Sequence, residues 1–170
     1  MTTEIHWIRD IEPLRLAIMP RPRGGDWLRD EVANLKTEGV SVVVSLLHQY
    51  EAQELDLSGE GTECLAQGIE YRSFPIRDRG IPESIHAFMN LVDEMANRLR
   101  CGTAIAVHCR AEIGRSALTV GGIMLRLGVP AEQVFPMVSR ARGLTTPDTP
   151  SQIEWFSAFA RSSQQVQRDV

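Results

Sequence analysis

The chain has 170 residues, 43% of them hydrophobic and 24% charged, with a formal net charge of -4. That length suits one domain over residues 1–170 with a core from about 14 to 160, and the composition excludes a disordered or fibrous chain. Mild acidity argues against a surface built for nucleic acid, no apolar run approaches bilayer length, and the polar start MTTEIHWIRD lacks the regions of a signal peptide, so a cytoplasmic protein with no nucleic-acid and no membrane partner is expected.

Leu14 to Met19 reads as a short strand, followed by the Pro- and Gly-rich loop MPRPRGG. From Asp26, taken as a cap, Leu28, Val32 and Leu35 recur on one helical face and Gly39 supplies a stop. Val40 to Leu47 (VSVVVSLL) is β-branched and short, as a buried strand is. Tyr50 to Gln67 carries only irregular or short helical signals.

Ile69 to Ile76 (IEYRSFPI) is the next expected strand, RDRGI a loop, and Pro82 the opening of a helix. That helix carries Ile85, Phe88, Met89, Val92, Met95 and Leu99 on its apolar face, and Gly102 ends it. Thr103 to His108 is another apolar strand, and a nearly all-apolar helix runs from about Arg115 to Leu127. The tail RSSQQVQRDV, 161–170, is polar and expected to fray.

Strand, loop, helix, strand, loop, helix is a βαβα unit with parallel strands and a right-handed crossover. The fold class is therefore α/β, with a mostly parallel sheet of about four or five strands flanked by helices. Its loops at 77–81 and 109–115 leave the carboxyl ends of their strands, the edge where α/β proteins bind ligands.

The second of those loops lies in TAIAVHCRAEIGRS, residues 103–116. A strand feeding a helix through a tight loop aims backbone N–H groups and the positive helix end into one concavity, which suits an anion. Gly114 is expected to relax the backbone at the helix entry, and Arg115 to add a guanidinium fork for phosphate oxygens. The same field favours the thiolate of Cys109 over its thiol. A nucleophile at the base of an anion site suits in-line attack on a phosphate ester. A bare C-x5-R spacing also arises by chance, and cysteine is often a buried small hydrophobe. The preceding strand, the flanking Gly and Ser, and the helix that follows favour the site.

A leaving oxygen needs a proton donor, and Asp78 sits on the same edge; Arg77 and Arg79 beside it would favour its charged form. Ser116 is a donor to the departing thiolate or a cap of the helix beside it. Gln152 either orients a hydrolytic water or closes a capping box with Thr149, with Pro150 at the first helical position. His108, on the opposite strand face from Cys109, reads as a buried orienting group, while His6, His48 and His86 have no assigned role.

Cys64, Cys101 and Cys109 form no CxxC pair or His cluster at metal-ligand spacing, so no zinc, disulfide framework or cofactor is expected. Cys101 is one extended strand away from Cys109 and a poor resolving partner, whereas Cys64 stays open for redox control.

HCRAEIGRS resembles the signature loop of the cysteine-based protein tyrosine phosphatases, HCxxGxGR followed by Ser or Thr. FPIRDRGIP resembles the general-acid loop of the compact dual-specificity group. SRARG with TPDTPSQIEWF resembles the Gln-bearing segment of the cyclin-dependent-kinase-associated phosphatases. The resemblance runs from about Leu14 to Phe159. It implies Cys109 as nucleophile and Arg115 with the loop of Arg110, Ala111, Glu112, Ile113 and Gly114 as phosphate clamp. It further implies Asp78 as acid then base, Ser116 and Gln152 in the second step, and no metal.

Glu112 departs from the family pattern, which has Gly there, and is expected to point outward and select against polyanionic substrates. The implied substrate is a phosphorylated protein or peptide, phosphotyrosine ahead of phosphoserine and phosphothreonine; oligomeric state is not written in the sequence. Two other readings share the Cys loop. A rhodanese-like sulfurtransferase would need no acid, and a catalytically silent phosphate binder would have no turnover to lose.

Overall fold

The fold is seen in a computed structural model that describes residues 2–111 and 113–168, with side chains to residue 165. Five strands form one sheet: β1 (His6–Trp7), β2 (Leu16–Met19), β3 (Val42–Ser45), β4 (Glu70–Ser73) and β5 (Ile105–His108), in the order β1-β2-β5-β3-β4. Only the β1–β2 pair is antiparallel; β2, β3 and β4 run parallel to β5 or to one another.

The central strands are apolar at consecutive positions because both sheet faces are covered. Leu16, Ile18, Val42, Val44, Ile105 and Val107 enter one core, and Ala17, Met19, Val43 and Ala106 the other. The first core is closed by α4 (Ile85–Arg100), α5 (Arg115–Arg126), α6 (Ala131–Arg142) and α7 (Pro150–Arg168), through Phe88, Val92, Leu118, Val134 and Phe159. The second is closed by α1 (Leu28–Thr37) and α3 (Glu60–Ala66), through Val32, Leu35 and Cys64; the short α2 (Gln49–Glu54) lies between them in sequence. Each large apolar side chain so buried contributes on the order of 1.5–3 kcal/mol relative to exposure.

The expected strands are present but one to three residues shorter at one or both ends. Tyr50 to Gln67 resolves into α2 and α3, and the two-residue β1 has too little pattern to be read from sequence. Asp26 does not cap α1; it lies in a single 3-10 turn, Gly25–Trp27, with no side-chain cap bond. The helix expected from Pro82 begins at Ile85, because the Ser84 hydroxyl accepts the Ala87 N–H at 3.1 Å and fixes the start there. Ile85 therefore sits in the first turn and is exposed, not part of the core face. Gly39 and Gly102 end their helices at φ +84° and +89°, the left-handed backbone that glycine supplies without strain.

Residues read as a fraying tail continue α7 to Arg168, since Phe156, Phe159, Ala160 and Ser163 bury one side of it. Among the described residues no helix is long and apolar enough to cross a membrane.

Candidate active site

The carboxyl ends of the parallel strands meet at one edge, stitched together by bonds from the Leu46 N–H to the His108 carbonyl (3.0 Å) and from the Ile76 N–H to the Leu46 carbonyl (3.1 Å). Cys109 follows β5 there, 3% exposed. The helix α5 starts six residues later, with Gly114 at its N-cap. A cavity of about 40 Å³ lies over the loop, lined by Cys109, Ala111, Ile113, Gly114, Arg115, Asp78, Arg79 and Asp148. Roughly 10–15 Å³ of such space is enough for one water, so the cavity takes a few waters or one phosphate-sized group. The two loops expected to share an edge do share this cavity.

Arg115 is only 2% exposed. Its Nη1 and Nη2 donate to the two carboxylate oxygens of Glu51 at 2.8 and 2.9 Å, Nη1 also to the Ile76 carbonyl at 2.9 Å, and Nη2 to Asp78 Oδ1 at 3.1 Å. Burial works against the charge, yet the Glu51 bonds, the adjacent Cys109 and Asp78 more than offset it, and the Arg115 pKa stands above the ordinary guanidinium value. Burial likewise pushes Glu51 up, but hydrogen bonds from Arg115 and from the His48 N–H outweigh it, and its pKa lies below the usual carboxylate range. The guanidinium is thus a fixed, permanent cation.

Sequence reasoning missed Glu51. The local signal exists: His48 and Glu51 make the capping box of α2, with the His48 N–H donating to Glu51 Oε2 at 3.0 Å. Its second partner is 64 residues away and invisible to any window.

Asp78 sits on a tight turn closed by the Gly80 N–H on the Arg77 carbonyl at 2.8 Å. The flanking arginines pair elsewhere: Arg77 lies 3.6 Å from Glu83 and Arg79 3.8 Å from Asp148. Arg115, not either neighbour, is the cation that holds Asp78.

Gln152 is fully buried and closes the capping box read for it. Its N–H donates to Thr149 Oγ1 (3.2 Å) and its Oε1 accepts the Thr149 N–H (3.1 Å), a complete capping box. Its Nε2 donates to the Gly80 carbonyl at 3.0 Å, which ties α7 to the Asp78 turn. Gly114 has ordinary backbone angles, φ −92° and ψ −70°, so conformational relief is not its role. A Cβ there would lie 2.6 Å from both polar atoms of the Gln152 amide, so the glycine is needed for space. Ser116 lies inside α5 and not at its cap; its Oγ is buried with no hydrogen-bond partner among the described residues.

His108 is fully buried, with Nε2 2.9 Å from Glu60 Oε1 and Nδ1 3.3 Å from the Cys109 carbonyl oxygen. Arg110 is exposed and donates to Glu54 at 3.2 Å. Glu112, and with it the expectation that it points outward, lies outside the described residues. Cys64 is buried in the second core, its thiol pushed up to about 12 by burial, with Glu60 and Glu63 adding to the shift; it is no ready redox partner. Cys101 is exposed at the far end of β5. Among the described residues no group of His, Cys, Asp and Glu is placed to hold a metal ion.

The profile of the family described as polymorphic toxin system, DSP-PTPase phosphatase, matches residues 17–129. No curated protein matches the sequence. Among solved structures, a kinase associated phosphatase with serine in place of its catalytic-site cysteine superposes with a TM-score of 0.86 at 19% identity, covering 95% of this chain and 96% of that one. The active form of Tk-PTP gives 0.74 at 22% identity over 92% and 96%. PTPMT1 in complex with PI(5)P gives 0.78 at 19% identity over 96% and 98%. The likeness is one of fold.

Proposed function

The chain belongs to the DSP-PTPase phosphatase family of polymorphic toxin systems, and from that premise we propose that it hydrolyses phosphomonoesters of proteins through a phospho-cysteine formed on Cys109. The observation that carries this reading is the joint lining of one small cavity by Cys109, Arg115 and Asp78.

In the first step the Cys109 thiolate attacks phosphorus in line, the P–O bond to the leaving group breaks, and Asp78 delivers its proton to that oxygen. Arg115 and the amides of residues 110–115 take the charge of the equatorial oxygens; Glu51 orients the guanidinium, so it needs no reorganisation. In the second step a water attacks the phospho-cysteine while Asp78, now a carboxylate, takes its proton. The sulfur leaves as thiolate, with Ser116 Oγ as its donor. The Gln152 amide, held against Gly114 and the Asp78 turn, orients the water.

The cavity volume favours a single phosphate, and the carboxylates of Asp78 and Asp148 at its rim oppose a second. That supports a phosphoprotein over a polyphosphorylated lipid headgroup, even though PTPMT1 has been crystallised with PI(5)P. The depth of Cys109 favours phosphotyrosine, whose ring carries the ester further from the peptide than serine or threonine does.

The test is metal-independent release of phosphate from p-nitrophenyl phosphate, then from phosphopeptides and phosphoinositides. Wild type is expected to turn over and to prefer phosphotyrosine peptide, and Cys109→Ser to abolish turnover with its melting temperature kept. Wild type without turnover in EDTA sinks the reading.

A further inference from the structure

Glu60 takes part in none of those steps, yet it is 1% exposed, and its Oε2 has no hydrogen-bond partner among the described residues. A buried carboxyl group with one oxygen unsatisfied is costly, and an apolar side chain in the same place would avoid that cost. Its one hydrogen-bonded contact is with His108 Nε2 at 2.9 Å.

His108 links Glu60 to the nucleophile. Its Nδ1 stands 3.3 Å from the Cys109 carbonyl oxygen, and a carbonyl only accepts, so this bond requires a proton on Nδ1. The Nε2 to Oε1 contact requires one more proton, carried by either partner. Glu60 and His108 together therefore hold either an imidazolium beside a carboxylate or an imidazole beside a carboxylic acid. With an apolar residue in place of Glu60, Nδ1–H would still meet the carbonyl, but Nε2 would lose its partner and the ring would be held at one nitrogen only.

The other titratable groups facing Glu60 are Tyr71 and Cys64. Burial raises both, and Glu60 adds to it, so neither gives up a proton near neutrality. The peptide that accepts the Nδ1–H bond carries the Arg110 N–H on its opposite edge. Accepting a bond at the carbonyl polarises that N–H, the first amide of the loop, into a better donor.

Resting on the phosphatase reading above, we propose that Glu60 is a positioning residue: its hydrogen bond to Nε2 anchors the His108 ring at both nitrogens, holds Nδ1–H on the Cys109 carbonyl and so sets the first peptide of the phosphate loop. The exchange Glu60→Gln separates this role from bulk packing, because its amide N–H can donate to Nε2 and keep the ring anchored at both nitrogens, whereas Glu60→Leu cannot.

With p-nitrophenyl phosphate, Glu60→Leu is expected to lose kcat by roughly 10- to 100-fold, the range for residues that orient a working histidine, with KM moving less; Glu60→Gln should stay within about threefold of wild type. Long-range ¹H–¹⁵N spectra of histidine-labelled protein, with His108 assigned through His108→Asn, read the proton position without turnover. A proton on Nδ1 is expected in wild type, Glu60→Gln and Glu60→Leu alike, since the Cys109 carbonyl still accepts it, but in Glu60→Leu the His108 resonances should shift and broaden as the ring loses its Nε2 anchor. An Nε2–H tautomer in wild type, or full kcat in a folded Glu60→Leu, overturns the proposal. If Glu60→Leu does not fold, the wild-type spectrum and the Glu60→Gln rates decide. Absence of wild-type turnover overturns the phosphatase reading instead, and the spectra still test the proton.

Discussion

The loop after β5 and the loop after β4 face each other across one cavity and are built in opposite ways. The first is cornered: Arg115 is 2% exposed and held by Glu51, and Gly114 is pressed against Gln152. The second stands in solvent, with the Asp78 side chain 56% exposed and the arginines on either side turned outward to surface pairs. A phosphate clamp must not reorganise as charge develops, whereas a group that carries a proton in and out needs access to water. The difference in burial matches the division of labour proposed for the two loops.

Substitutions test the contrast, because changes in the exposed loop should affect rate alone, whereas changes to the contacts that corner the other loop should affect both rate and stability. The largest effect is expected from Asp78→Asn: kcat on phosphotyrosine falls by roughly 10²- to 10⁴-fold. The loss should be smaller on p-nitrophenyl phosphate, whose leaving group needs less protonation. KM should not rise, since the Asp78 carboxylate already occupies Arg115 Nη2 where a phosphate oxygen would bind. Stability should be unchanged by thermal melting; a drop in melting temperature would break the comparison.

Next comes Glu51→Gln, which leaves a buried guanidinium without its counter-charge and should cost about 3–5 kcal/mol in denaturant unfolding. Its pH dependence has a definite sign. The folded pKa of Glu51 is depressed, so its contribution is present above the unfolded value near 4.3 and is lost as pH falls through the lower folded value. Wild-type stability should therefore drop more steeply than that of Glu51→Gln in acid below about pH 4.

Gly114→Ala follows, forcing the Gln152 amide aside at roughly 1–3 kcal/mol and slowing release of phosphate from the phospho-cysteine; burst kinetics would register the second step falling more than the first. Arg79→Ala should do least. Its pair with Asp148 is exposed and worth at most about 1 kcal/mol, so kcat/KM should change less than about fivefold.

Much of this was legible in the chain. Two-sided burial made VVVS and IAVH recognisable as strands, and TAIAVHCRAEIGRS showed the residues proposed as nucleophile and clamp, because local spacing and element order carry both. The supports of that loop were not legible. Glu51 and Glu60 fell in a stretch with only irregular or short helical signals and drew no reading, and only the fold brings them to Arg115 and His108, 64 and 48 residues distant. Gly114 was read as backbone relief, whereas the structure gives it a steric role. Backbone freedom can be inferred from the residue type, while the missing space beside it belongs to a side chain 38 positions later in the sequence.

Gln152 joins the first turn of α7 to Gly80 and lies against Gly114, and it comes after every other residue assigned a part in the chemistry. During synthesis the residues proposed as nucleophile, acid and clamp all precede it. Because α7 also closes the first core through Phe156 and Phe159, the site as a whole waits for that helix, and turnover should begin only when it docks.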